Sequence, residues 1–160
     1  MQNPAVLFVC LGNICRSPLA EAAFRQAAAQ AGLSVAVDSA GTGAWHVGNP
    51  PDPRARAQGK AQGIDMSAYR SRQVKRGDFT RFTHIFALDA NNLADLERLR
   101  PSSATAHVGL LLDIVPGREG QSVADPYYGG PEDFAVTWRE VSEAAEALVA
   151  MLKVSNWPAR

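Results

Sequence analysis

The two cysteines of the 160-residue sequence, Cys10 and Cys15, both lie in the stretch VLFVCLGNICRSPLAEAAF, Val6 to Phe24. Five residues separate Cys10 from Arg16, and Ser17 follows directly, giving the spacing C-x5-R-S. A thiol beside a guanidinium and near the start of a helix is favoured as thiolate, a strong nucleophile. A planar arginine fork grips two oxygens of a tetrahedral anion such as a phosphoryl group, which a lysine cannot do. The spacing lets Cys10 and Arg16 reach one bound anion from opposite sides of a loop. Taken alone, the same residues also fit a buried cysteine and a surface arginine in an ordinary turn.

Other anion- and metal-binding loops fit less well. A nucleotide-binding loop requires G-x-x-x-x-G-K-[ST], and here the second glycine and the lysine are missing. The glycines of GTGAWH make no dinucleotide fingerprint, because His46 stands where the third glycine is needed. C-x4-C is not a usual zinc spacing, and there is no second pair of cysteines. Two thiols in a chain of this length make no disulfide framework and suit catalytic, redox or buried roles.

The C-x5-R-S stretch sits where an apolar strand hands over to a helix. Near-continuous apolar runs at Ala5–Val9, Ser34–Asp38, Thr83–Leu88 and Ala104–Leu110 suit strands buried on both faces. Helical patterns cover Pro18–Gln30, Pro53–Gln62, Asn91–Arg98 and Pro131–Leu152. Their alternation predicts one α/β domain over residues 1–160, a four-stranded parallel sheet with helices on both faces. Ligands of such sheets bind at the carboxyl ends of the strands. Leu11, Gly12, Asn13, Ile14, Cys15, Arg16 and Ser17 occupy that place after the first strand, where their N–H groups would form a concave anion site. Gly12 and Asn13 both tolerate the positive φ that turns amides inward. Ser17 is expected to cap the first helix, with Pro18 in its first position. The Gly- and Pro-rich stretch 39–53 reads as a long functional or mobile loop.

Sixteen basic and sixteen acidic residues cancel, so no global field draws the chain to nucleic acid or an anionic membrane. The apolar run at 5–10 is too short for a signal-peptide core or a membrane span, which points to a cytoplasmic protein. Arg70, Arg72, Lys75 and Arg76 read as a solvated basic face, and His84 and His107 as structural residues of strand patterns. Neither they nor His46 are needed by the chemistry of the loop.

VLFVCLGNICRSPLAEAAF, DSAGTGAWHVGNPPDPRA and DPYYGGPEDF together resemble the low molecular weight protein tyrosine phosphatases over nearly the whole chain. The resemblance implies hydrolysis of phosphotyrosine and small aryl phosphates through a phosphocysteine on Cys10. Arg16 and the loop amides of residues 11–17 would bind phosphate, with no metal or other cofactor. It names Asp125 in ADPYYGG as the general acid that protonates the departing phenol and then as the base for water. By residue chemistry alone an Asp-Pro pair is more often a turn. A general acid is worth roughly 10²–10⁴-fold against a leaving group whose conjugate acid has a pKa of about 10. Trp45, Tyr127 and Tyr128 would wall a slot for the phosphotyrosine ring, or pack on each other as loop aromatics.

The same resemblance gives Ser17 a hydrogen bond to the thiolate, and Asn13 a loop-holding role shared with Ser39. Asp89 either orients Arg16 or only caps the helix that follows it. Cys15 would contribute an amide to the phosphate cradle and a thiol able to trap oxidised Cys10 as a disulfide. The implied partners are tyrosine-phosphorylated proteins, a bacterial tyrosine autokinase among them, and the protein is expected to be a monomer. Family members carry histidines near Gln62 and Ala68, one of which supports the asparagine–serine network; this chain departs from the family there. An arsenate reductase on the same fold would need further cysteines, and none follows Cys15. Relatives acting on phosphoarginine have a threonine where Ile14 stands, which favours phosphotyrosine. A phosphate-binding module without catalysis finds no support, because Cys10, Arg16, Ser17 and Asp125 are all present.

Overall fold

The structure, a computed structural model, describes residues 3–154. The ends of the expected 1–160 domain, residues 1–2 and 155–160, lie outside the described residues. Four parallel strands, β1 (Ala5–Cys10), β2 (Ala36–Gly41), β3 (His84–Ala87) and β4 (His107–Leu110), form one sheet in the order β2-β1-β3-β4. The helices are α1 (Arg16–Gln30), α2 (Pro53–Ala61), α3 (Asp78–Arg81), α4 (Ala90–Leu99) and α5 (Pro131–Val154), with a 3₁₀ turn at Leu111–Ile114. No described helix is long and apolar enough to cross a membrane.

Successive residues of a strand point to opposite faces, and β1 divides accordingly. Val6, Phe8 and Cys10 join the core beneath α1 and α5, where Phe8 meets Phe24 edge-on at 5.9 Å. Leu7 and Val9 face the other way and pack with Ile85, Ala87, Phe79 of α3 and Leu96 of α4. The expected two-sided burial is therefore present, and it requires the near-continuous apolar runs seen in the sequence. β1 has β2 on one side and β3 on the other. The strand order reverses at β1, so a crevice opens at its carboxyl end, where Cys10 stands.

Most element ends differ from expectation by a residue or more, and those of β2, β4 and α1 have a visible physical reason. β2 runs two residues later than Ser34–Asp38 at its start and reaches Gly41, because its register with β1 pairs Ala36 with Ala5 and Gly41 with Cys10. Polar Asp38 and Ser39 are thus inside a strand, held there by ladder bonds that an apolar pattern does not reveal. β4 starts at His107, since the amides of Thr105 and Ala106 instead donate to Phe79 O. α1 starts at Arg16 with Cys15 at its N-cap and no side-chain cap bond, which corrects the expected cap by Ser17. Ser17 lies inside the helix, fully buried, because its hydroxyl is used by the thiol of Cys10.

Candidate active site

The loop after β1 is held from outside through its carbonyl groups. Thr42 N donates to Cys10 O (2.9 Å), Gly43 N to Leu11 O (2.9 Å), and Asp52 N to Ile14 O (2.8 Å). Ser71 Oγ donates to Gly12 O (3.0 Å). In a trans peptide the carbonyl and the following N–H point in opposite directions. Carbonyls drawn outward suit a loop whose amides turn the other way, as an anion nest requires. Asn13 supplies the turn with φ of 58°. Gly12 does not share it; among the described glycines, those with positive φ are elsewhere. Gly41 allows the close approach of β2 to this loop, because a Cβ there would stand 2.7 Å from Leu11 O.

Beneath the loop, one amide group organises two hydrogen-bond chains. Asn13 Oδ1 accepts from Arg72 N (3.1 Å), which fixes the orientation of the side chain. Asn13 Nδ2 donates to Ser17 Oγ (2.8 Å) and to Ser39 Oγ (3.0 Å). Ser17 Oγ also lies 3.0 Å from Cys10 Sγ, and when the sulfur is a thiolate the hydroxyl is the donor of that bond. Ser39 Oγ passes its own hydrogen to Glu21 Oε1 (2.7 Å). Burial pushes the Glu21 carboxyl up, while its bonds to Ser39 and Arg25 oppose that rise. Gln62 and Ala68 are exposed, and within the described residues this network runs on through Glu21 to Arg25, whose Nε donates to Glu21 Oε2 (2.9 Å). Asn13, Ser17 and Ser39 are buried behind the thiol and do not line the cleft above it.

Arg16 is buried, and its guanidinium is fixed from behind. Nη1 donates to Asp89 Oδ2 (2.7 Å) and to Val123 O (3.0 Å), while Nη2 lies 3.7 Å from Asp125 Oδ2. Its pKa is raised: burial opposes the charge, and Cys10, Asp89 and Asp125 outweigh it. Arg16 is also among the residues that line the cleft described next. Asp89 fills both roles considered from the sequence, since Oδ1 accepts from Asn92 N (2.7 Å) at the start of α4 while Oδ2 holds Arg16.

Cys10, Leu11, Gly12, Ile14, Cys15, Arg16, Trp45, His46, Asp125, Tyr127 and Tyr128 line one cleft of about 240 Å³. Loops far apart in sequence thus bring the thiol, the guanidinium and the carboxylate to one volume. Trp45 is 71% exposed and Tyr128 96%, so the walls are open to a ligand ring; Tyr127 and Tyr128 also meet edge-on at 4.9 Å. Asp125 Oδ1 accepts from Tyr127 N (3.1 Å). Cys15 is buried, and desolvation, with Asp52 and then Cys10 and Asp125 nearby, pushes its thiol well up. Both cysteines are free.

Five contributors were not legible in the sequence. His46 lines the cleft. Glu21 extends the asparagine network, and its spacing from Ser17 gave no sign of it. Arg72, read as part of a solvated face, is half-buried: it binds Asp38 (3.0 Å) and fully buried Asp78 (3.0 Å), and its amide holds Asn13. Asp52 and Arg54 join the loop after β1 to the loop bearing Asp125. Each acts through a contact made only on folding.

Cys10 at the carboxyl end of a central parallel strand, sharing one cleft with Arg16 and Asp125, defines the class: an α/β protein with its candidate active site after β1. The family model for low molecular weight phosphotyrosine protein phosphatase matches residues 5–156, and the chain belongs to that family. It is 46% identical over 136 residues to the low molecular weight phosphotyrosine protein phosphatase of Schizosaccharomyces pombe, covering 83% of this chain and 86% of that one. It is 41% identical over 151 residues to the low molecular weight protein-tyrosine-phosphatase YfkJ of Bacillus subtilis, covering 93% and 96%. The crystal structure of YfkJ superposes with a TM-score of 0.88 over 96% of each chain. A Drosophila protein whose structure is described as an arginine phosphatase is 33% identical with a TM-score of 0.87, covering 94% of this chain and 98% of that one.

Proposed function

We propose that the protein hydrolyses phosphotyrosine and small aryl phosphates through a phosphocysteine on Cys10. The observation that carries this reading is the convergence of Cys10, Arg16 and Asp125 on one cleft walled by Trp45, Tyr127 and Tyr128. Cys10 Sγ attacks phosphorus while the P–O bond to the aryl group breaks and Asp125 gives its proton to the departing oxygen. Water then attacks phosphorus, Asp125 takes a proton from it, and the S–P bond breaks to return the thiolate and release inorganic phosphate. Arg16 and the amides of residues 11–16 stabilise the equatorial oxygens in both steps. Ser17 donates to the sulfur whenever it carries charge.

The aromatic walls, and Ile14 rather than threonine in the cleft, favour an aryl phosphate over phosphoarginine. Tyrosine-phosphorylated proteins are the proposed partners, a tyrosine autokinase included, and the protein is proposed to act on them as a cytoplasmic monomer. Cys15 is proposed to capture oxidised Cys10. The test is turnover of p-nitrophenyl phosphate in EDTA: wild type is expected to be active and Cys10→Ser inactive. Activity in Cys10→Ser, or none in wild type, overturns the reading.

A further inference from the structure

Asp125 sits on a segment with little support of its own. Its side chain is 44% exposed, and Tyr127 and Tyr128 beside it are exposed. Within the segment, Tyr127 N holds Asp125 Oδ1 and Gly129 N closes a turn on Pro126 O (2.8 Å). Among the described residues, the backbone of residues 125–129 is hydrogen-bonded to other elements through one side chain, Arg54 of α2. Nη2 of Arg54 donates to Tyr127 O (2.9 Å) and Nη1 to Gly129 O (2.8 Å). One residue, Tyr127, thus holds the Asp125 carboxylate with its N–H and is itself held at its carbonyl.

Arg54 is in turn fixed at its other end. Asp52 accepts from Nε (3.0 Å) and Nη2 (2.9 Å), and its carboxylate is only 9% exposed. The guanidinium lies 4.6 Å from the Phe134 ring of α5 and 5.7 Å from that of Tyr127, geometry suited to cation–π contact. The amide of the same Asp52 holds Ile14 O of the loop around Cys10. Two residues of α2 and its cap therefore span from the nucleophile's loop to the segment of Asp125.

We propose that Arg54 is a positioning residue that sets the Asp125 carboxyl over the reacting oxygen, relative to the loop that holds phosphate. This rests on the reading of Asp125 as general acid. The fork is essential to it: four N–H groups of one guanidinium serve a carboxylate and two carbonyls, a pattern lysine cannot reproduce. Displacement of a catalytic group by about 1 Å is enough to cost roughly 10²-fold.

The experiment compares phenyl phosphate, whose leaving group needs a proton, with 2,4-dinitrophenyl phosphate, whose leaving group does not. Wild type, Asp125→Asn, Arg54→Gln, Arg54→Lys and the double variant Asp125→Asn/Arg54→Gln are assayed, with inhibition by inorganic phosphate as a measure of the phosphate site. Both Arg54 variants are expected to lose roughly 10- to 100-fold in kcat/KM on phenyl phosphate. In kcat/KM on the dinitrophenyl ester, which reports only the steps up to departure of the leaving group and not the later attack of water, and in phosphate affinity they should stay within about threefold of wild type. The double variant should lose little beyond Asp125→Asn, because the two changes remove one function. Equal losses on both esters, additive losses in the double variant, or wild-type rates in Arg54→Gln and Arg54→Lys each overturn the proposal. If Asp125→Asn itself shows no dependence on the leaving group, the acid reading fails and the inference fails with it.

Discussion

Replacing Ser17 by alanine separates a hydroxyl that serves the reacting sulfur from one that only fills space. Ser17 Oγ is fully buried, 3.0 Å from Cys10 Sγ and 2.8 Å from Asn13 Nδ2. A hydrogen bond to a charged group is worth about 1.5–3 kcal/mol. At about 1.36 kcal/mol per tenfold, its loss from the thiolate that attacks and later departs lowers kcat roughly 10- to 150-fold. The same change leaves one Asn13 amide hydrogen without its acceptor, which costs about 1–3 kcal/mol of stability. In the proposed reaction Arg16 and backbone amides grip phosphate, and that grip does not pass through Ser17. The assay is kcat on p-nitrophenyl phosphate, inhibition by inorganic phosphate, and urea unfolding of the same samples. A fall in kcat with phosphate affinity within about threefold of wild type is expected. A kcat within twofold of wild type in a measurably destabilised variant refutes the argument, and so does a parallel collapse of kcat and phosphate affinity.

Asp89→Asn keeps a residue able to cap α4 but removes the charge opposite buried Arg16. Because Asp89 is partly solvated, the cost should lie near about 2–3 kcal/mol, below that of a fully buried pair, and urea denaturation measures it. His84 is buried with the His107 ring 6.0 Å away, and burial first, then His107, drops it from 6.5 to about 4. A depressed histidine favours the neutral native state, so its contribution is complete above pH 6.5 and is lost as pH falls through 4. Wild type should therefore lose about 2–3 kcal/mol more than His84→Gln between pH 7 and 4, and superimposable stability profiles would refute this. After mild peroxide, thiol reductant should restore wild type but not Cys15→Ser; equal recovery would leave Cys15 a packing residue.

The α/β class, the parallel sheet and the position of a cleft at the end of β1 were all legible in the sequence, because each depends on local pattern. Buried parallel strands need apolar runs, and the anion loop needs Cys10, Asn13, Arg16 and Ser17 within eight consecutive positions, 10 to 17. Asp125 and the three wall aromatics came from longer motifs rather than from periodicity. Tertiary structure alone decided how these parts are held. Ser17 left its expected cap because folding offered it the thiol and Asn13. Asp89 took both of its alternatives, since a carboxylate has two oxygens and each met a donor. Arg72 left the solvated face for Asp38 and Asp78, while Glu21, Asp52 and Arg54 gained functional contacts that no spacing announces. Arg54 and Gly129 are 75 positions apart, as Arg16 and Asp89 are 73. Hydrogen bonds over such separations depend on where whole elements come to rest, which is a property of the packed sheet and helices and not of any one stretch of chain.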